Sequence, residues 1–173
     1  MSKISVLNQQ KDYRPSELAA KLIAGGEFQT LYRDVMKLVD DTANYLDGEG
    51  RAAAKSLKGV SSVAYSRHSM EVTTSCMRSA SVCLALRATR QGDMRLEDAL
   101  RDVMSMDVLM KPTTDVDPSL GLPQGLVDIL DRSNVLQARL KTFCHSLVAQ
   151  DQPAPNVVHD RLQSLRLAFE NVG

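Results

Sequence analysis

Three cysteines and three histidines are the side chains of this 173-residue sequence best suited to do chemistry, and their spacing restricts what they can do. Cys76 and Cys83 are two helical turns apart, about 10 Å along a helix, too far for both to hold one tetrahedral ion unaided. Cys144 and His145 are neighbours and therefore point to different faces of a helix. All three cysteines fall in helical patterns, where cysteine ordinarily serves as a small buried hydrophobe. Their odd number fits a reduced, cytoplasmic setting better than a disulfide framework. His68 stands beside Arg67 and Glu71 and is expected in water. Asp115 and Asp117 share a loop that lacks the glycine and terminal glutamate of an EF-hand. There is no glycine-rich phosphate loop and no Gly-x-Ser-x-Gly elbow. These residues give no reason to expect a metal, a cofactor or an enzyme, and the chain reads as an interaction protein.

One local similarity to a catalytic class works against itself. Lys55-Ser56-Leu57-Lys58-Gly59 is similar to the phosphorylation segment of histidine phosphotransfer bundles, but the position of the reactive histidine is Lys55. Lysine cannot form phosphohistidine. A phosphorelay bundle using His68, His145 or His159 is therefore the alternative reading, together with a purely structural dimerisation module.

The elements that carry these residues are all helical. Phe28, Leu31, Tyr32, Val35, Leu38, Val39, Thr42 and Leu46 follow the 3.6-residue period, with Arg33, Lys37, Asp40, Asp41 and Asn44 opposite. Asp47-Gly48 ends that helix. A long helix covers Val60 to Arg90 and begins near residue 51 or residue 60. Asp93 is a candidate N-cap for a short helix with Leu96, Ala99, Leu100, Val103 and Met104. Lys111 to Pro123 reads as a loop with three prolines. Pro123 then opens a third main helix with Leu126, Ile129, Ser133, Leu136, Leu140, Phe143 and Leu147 on one face. No stretch alternates as a strand does. The expected architecture is an all-α three-helix bundle with a long central helix. Residues 27–149 form the bundle, 1–26 a flexible N-terminal tail and 150–173 a C-terminal tail.

The central helix carries two apolar lines. Val63, Met70, Met77 and Leu84 recur every seven residues and are assigned to the core. Tyr65, Val72, Cys76 and Cys83 form a weaker line, available for helix packing or for a second copy of the chain. One stripe would suffice for a monomer, so a homodimer is expected. In the C-terminal tail, Val158, Leu162, Leu165 and Phe169 form another stripe, the candidate partner-binding segment, because an isolated helix of about 15 residues is marginal in water. Zero net charge, few aromatics and no tryptophan argue against nucleic acid. No apolar run reaches the roughly 20 residues that span a bilayer, and the N-terminus has no signal-peptide core.

Three blocks taken together carry a family resemblance: YLDGEGR (Tyr45 to Arg51), AYSRHSMEVTTSCMRSASVCLALRATRQGDM (Ala64 to Met94) and LPQGLVDILDRSNVLQARL (Leu122 to Leu140). Their order and spacing resemble the RcdA family, regulators of CtrA degradation in alphaproteobacteria. The resemblance runs from about Phe28 to Leu147. It implies a homodimeric three-helix bundle acting as a non-enzymatic accessory factor of the ClpXP protease. It also implies delivery of the cell-cycle regulator CtrA, with CpdR and the cyclic-di-GMP effector PopA as partners, and recruitment to the cell pole.

Overall fold

The computed structural model describes residues 17–107 and 116–151, and these contain six α-helices and one 3₁₀ turn. In chain order they are α1 (Glu17–Ala24), α2 (Gly26–Asp47), α3 (Glu49–Ala54), α4 (Val60–Gln91), α5 (Leu96–Asp107), the turn Pro118–Leu120 and α6 (Gln124–Asp151). The tail stripe Val158, Leu162, Leu165 and Phe169 lies outside the described residues, as does Asp115 of the loop. The three long helices pack on one another, and α1, α3 and α5 cover their ends and edges. The expected all-helical bundle with a long central helix is what the chain forms.

One boundary differs from the sequence expectation, and the long helix starts at the second of its two expected positions. The segment at residues 17–24 is a helix rather than tail, since Ala19 and Ile23 are buried in the common core. The start of the long helix is resolved by a break: α3 ends at Ala54, and α4 begins after Gly59. Gly59 has φ 55° and ψ −128°, a positive-φ conformation that glycine adopts readily and residues with a Cβ rarely do. That backbone separates the two helices where helix propensity alone would have joined them.

Helices α2 and α6 run antiparallel. Phe28 stacks on Phe143 with ring centroids 5.6 Å apart. Farther along, Arg139 donates to Asp34 at 3.2 Å and Arg132 to Asp41 at 2.7 Å. Lys37 also reaches Asp41, at 3.1 Å. The Arg132 and Lys37 hydrogen bonds hold the Asp41 carboxyl below its ordinary 3.8. A lowered folded-state pKa stabilises the fold above the unfolded value, and that contribution is lost as pH falls through the folded one. Asp41→Asn should therefore flatten part of the stability loss below about pH 4 while costing no more than about 1 kcal/mol at neutral pH, the range of exposed pairs. Chemical denaturation at several pH values checks both.

The three blocks of the family resemblance meet at one end of the bundle. The ring of Tyr45 lies between Gly50 and Gly125, and the hydroxyl of Tyr65 reaches the same place. A Cβ on Gly125 would fall 2.5 Å from the Tyr45 ring, and one on Gly50 would fall 2.6 Å from that ring and 2.7 Å from the Tyr65 oxygen. Gly125→Ala would gain about 1 kcal/mol of helix propensity in α6. Overpacking a core contact costs about 1–3 kcal/mol, and a ring flanked by Gly50 on its other side yields less readily. Net destabilisation is expected, and a thermal melt that rises instead would show the ring to be free.

Candidate interaction surface

Helix α4 presents its weaker apolar line to the bundle and its stronger one to the outside. Tyr65, Val72, Cys76, Cys83, Val82 and Leu86 are buried. Val63, Met70, Met77 and Leu84 are 71%, 71%, 66% and 51% exposed, and Val60 extends the line at 73%. The assignment of Val63, Met70, Met77 and Leu84 to the core is thus corrected, while Tyr65, Val72, Cys76 and Cys83 take the first of their two expected roles, helix packing. Polarity explains why periodicity points the wrong way. The inward face also carries His68, Ser75 and Ser79, all buried, so it is no more apolar than the face it leaves outside.

The inward polar groups are matched across the helix seam. Ser75 and Ser133 share a hydrogen bond at 2.7 Å, and the Gln137 amide donates to both. Thr42 Oγ1 lies 3.6 Å from Cys76 Sγ. His68 is buried rather than solvated, with Nδ1 3.0 Å from Glu71 Oε2. A buried ring held by its own helix is poorly placed to receive a phosphoryl group from a docking partner, whereas His145 is exposed.

The cysteines are free thiols, all buried. Burial raises Cys76 above its ordinary value and pushes Cys83 up to about 12. A thiol that keeps its proton at neutral pH is a poor nucleophile and a poor metal ligand. Native protein at pH 7.5 should therefore leave Cys76 and Cys83 essentially unlabelled by iodoacetamide over minutes, while denatured protein labels at all three positions. Fast native labelling of Cys83 would mean that α4 opens locally.

The outward face of α4 is a built surface. From Val63 to Leu84 the apolar positions span about 30 Å of helix. Between them stand Thr73, Thr74 and Ser81, whose hydroxyls donate to the carbonyls of Ser69, Met70 and Met77 at 2.8, 2.8 and 2.9 Å. With those donors engaged on the helix itself, the small residues add a low, weakly polar floor between the larger apolar side chains. Arg67 pairs with Glu71 at 2.9 Å along one edge. A seven-residue recurrence lets a straight helix keep this line facing a second helix with only slight supercoiling. Such a strip is the kind of exposed apolar patch that marks protein contact sites. No helix among the described residues is long and apolar enough to cross a membrane.

Comparisons with known proteins agree with this architecture. A family described as "Protein of unknown function (DUF1465)" matches residues 19–169. Among solved structures, RcdA from Caulobacter crescentus is similar at 30% identity and a TM-score of 0.61. The match covers 74% of this chain and 96% of that one. No curated protein sequence gives a match.

Proposed function

The chain belongs to the RcdA family, and from that premise we propose that it is a non-enzymatic adaptor, a homodimer that helps deliver CtrA to the ClpXP protease. The observation that carries the reading is the uncovered strip Val63, Met70, Met77 and Leu84 on α4. A soluble bundle that leaves four large apolar side chains in one line needs a cover for them, and a second copy laying its own α4 alongside is the simplest. The pairing is isologous, so every favourable contact occurs twice.

Delivery follows from the physics of tethering. An adaptor that holds a substrate and the protease together raises their effective concentration, so several weak contacts sum to a useful rate. A dimer doubles the contacts. Val158, Leu162, Leu165 and Phe169 supply a further one, CpdR and PopA are the expected co-partners, and the cytoplasm at the cell pole is the expected place of action. No cofactor is required for any of this.

Purified protein titrated against ClpX, CpdR, PopA and CtrA, singly and in combination, tests the partner set by sedimentation velocity. Co-sedimentation with at least one of the four supports the adaptor. A dimer that binds none of them, in any combination, is a structural module instead.

A further inference from the structure

A groove with no role so far assigned lies between α1, α2 and α6. It has a volume of about 550 Å³ and runs along α6 from Ala138 to Gln150, with Leu22 of α1 and Leu31 of α2 across from Phe143. Its floor is apolar; its rim holds Arg139 at one end and Glu27 toward the other. Helix α6 ends at Asp151, one residue past Gln150. The carboxamide oxygen of Gln150 is shielded from solvent and has no hydrogen-bond partner among the described residues.

The chain continues for 22 residues beyond Asp151. Pro153 and Pro155 stand at its start, and neither continues a helix well. From Val158 to Phe169 the stripe Val158, Leu162, Leu165, Phe169 would span about 17 Å as a helix, against about 18 Å from Ala138 to Gln150. The seven steps from Asp151 to Val158 reach up to about 23 Å, enough to reverse direction. Charge fits the reversed direction. An antiparallel return along α6 carries Arg161 toward Glu27 and Glu170 toward Arg139. The family match also runs through the segment, to residue 169.

We infer that the α1–α2–α6 groove is the receptor for the chain's own C-terminal segment, which docks in cis with Val158, Leu162, Leu165 and Phe169 on the groove floor. The segment then has two alternative positions, seated on its own bundle or released to a partner. The second position rests on the adaptor reading; the first does not, so failure of either leaves the other standing.

The test uses the full chain with Phe169→p-benzoylphenylalanine, an aromatic replacement that forms a covalent bond to neighbouring C–H groups under light. A mixture of isotopically heavy and light chains separates contacts within a chain from contacts between chains. The expected result is cross-linking to the Leu31, Ala138 and Thr142 region of the same chain. Leu165→Asp in the tail, or Ala138→Arg on the exposed groove wall, should each lower that product at least about tenfold, since each removes the burial that seats the segment. Helical circular dichroism should stay unchanged in both variants. Cross-links to the other isotopic chain, to a different face, or to the groove but insensitive to both variants would overturn the inference.

Discussion

Replacing Met70 and Met77 together by aspartate should turn a paired protein into monomers without unfolding it. Both side chains are about two-thirds or more exposed on the isolated bundle, at 71% and 66%. Surface substitutions of that kind usually change stability by no more than about 0.5 kcal/mol. At the interface the balance is different. Burying a methionine is worth about 1.5–3 kcal/mol, and the proposed two-fold pairing would place four of them there. Even the low end gives about 6 kcal/mol, more than a ten-thousandfold loss of dimer affinity. Introducing four carboxylates into the same strip adds repulsion. Sedimentation equilibrium would register the change as a halved mass, with the helical circular dichroism spectrum retained. A Met70→Asp/Met77→Asp protein that still sediments as the wild type does would remove α4 as the pairing surface.

The second large effect separates two leucines only two residues apart. Leu86 is fully buried and Leu84 is 51% exposed on the outward line. Leu86→Ala leaves a cavity in the core and should cost about 2–5 kcal/mol. At about 2–4 °C per kcal/mol for a domain of this size, the melting temperature should fall by about 5–20 °C. Leu84→Ala should cost the monomer well under 1 kcal/mol. Because pairing itself adds apparent stability that depends on concentration, the comparison belongs in the Met70→Asp/Met77→Asp background. There Leu86→Ala should keep its full cost and Leu84→Ala should have almost none. The reverse order would restore the heptad line to the core.

Much of the architecture was readable from residue order alone. Helices α2 and α6 have one strongly apolar face each, so Phe28, Leu31, Val35 and Leu38, and Leu126, Ile129, Leu140, Phe143 and Leu147, are buried where their period puts them. Helix α4 defeats the same logic because its apolar residues are divided between a buried face and an exposed one. Its inward line includes the buried polar residues His68, Ser75 and Ser79; Glu71 stands within hydrogen-bonding reach of His68, and Ser133 and Gln137 of Ser75. Two of those three partners are more than fifty residues away, and nothing local announces them. The better-looking line of Val63, Met70, Met77 and Leu84 is the one left over for a partner.

The family motifs also change meaning in the fold. Tyr45 and Gly50 from the first block, Tyr65 from the second and Gly125 from the third converge on one packed corner. Together they fasten four helices, α2, α3, α4 and α6, at that corner. The contact surfaces proposed above lie elsewhere, on the α4 strip and in the C-terminal segment, in residues whose types are common.

The adaptor role is tested most directly by a reconstituted degradation assay. ClpXP, CpdR, PopA and cyclic di-GMP are held constant, CtrA is the substrate, and this protein is titrated in. Loss of CtrA should speed up and saturate with added protein, and the Met70→Asp/Met77→Asp protein should give no acceleration at the same concentrations. A rate unchanged by the wild-type dimer across the titration would contradict the adaptor role.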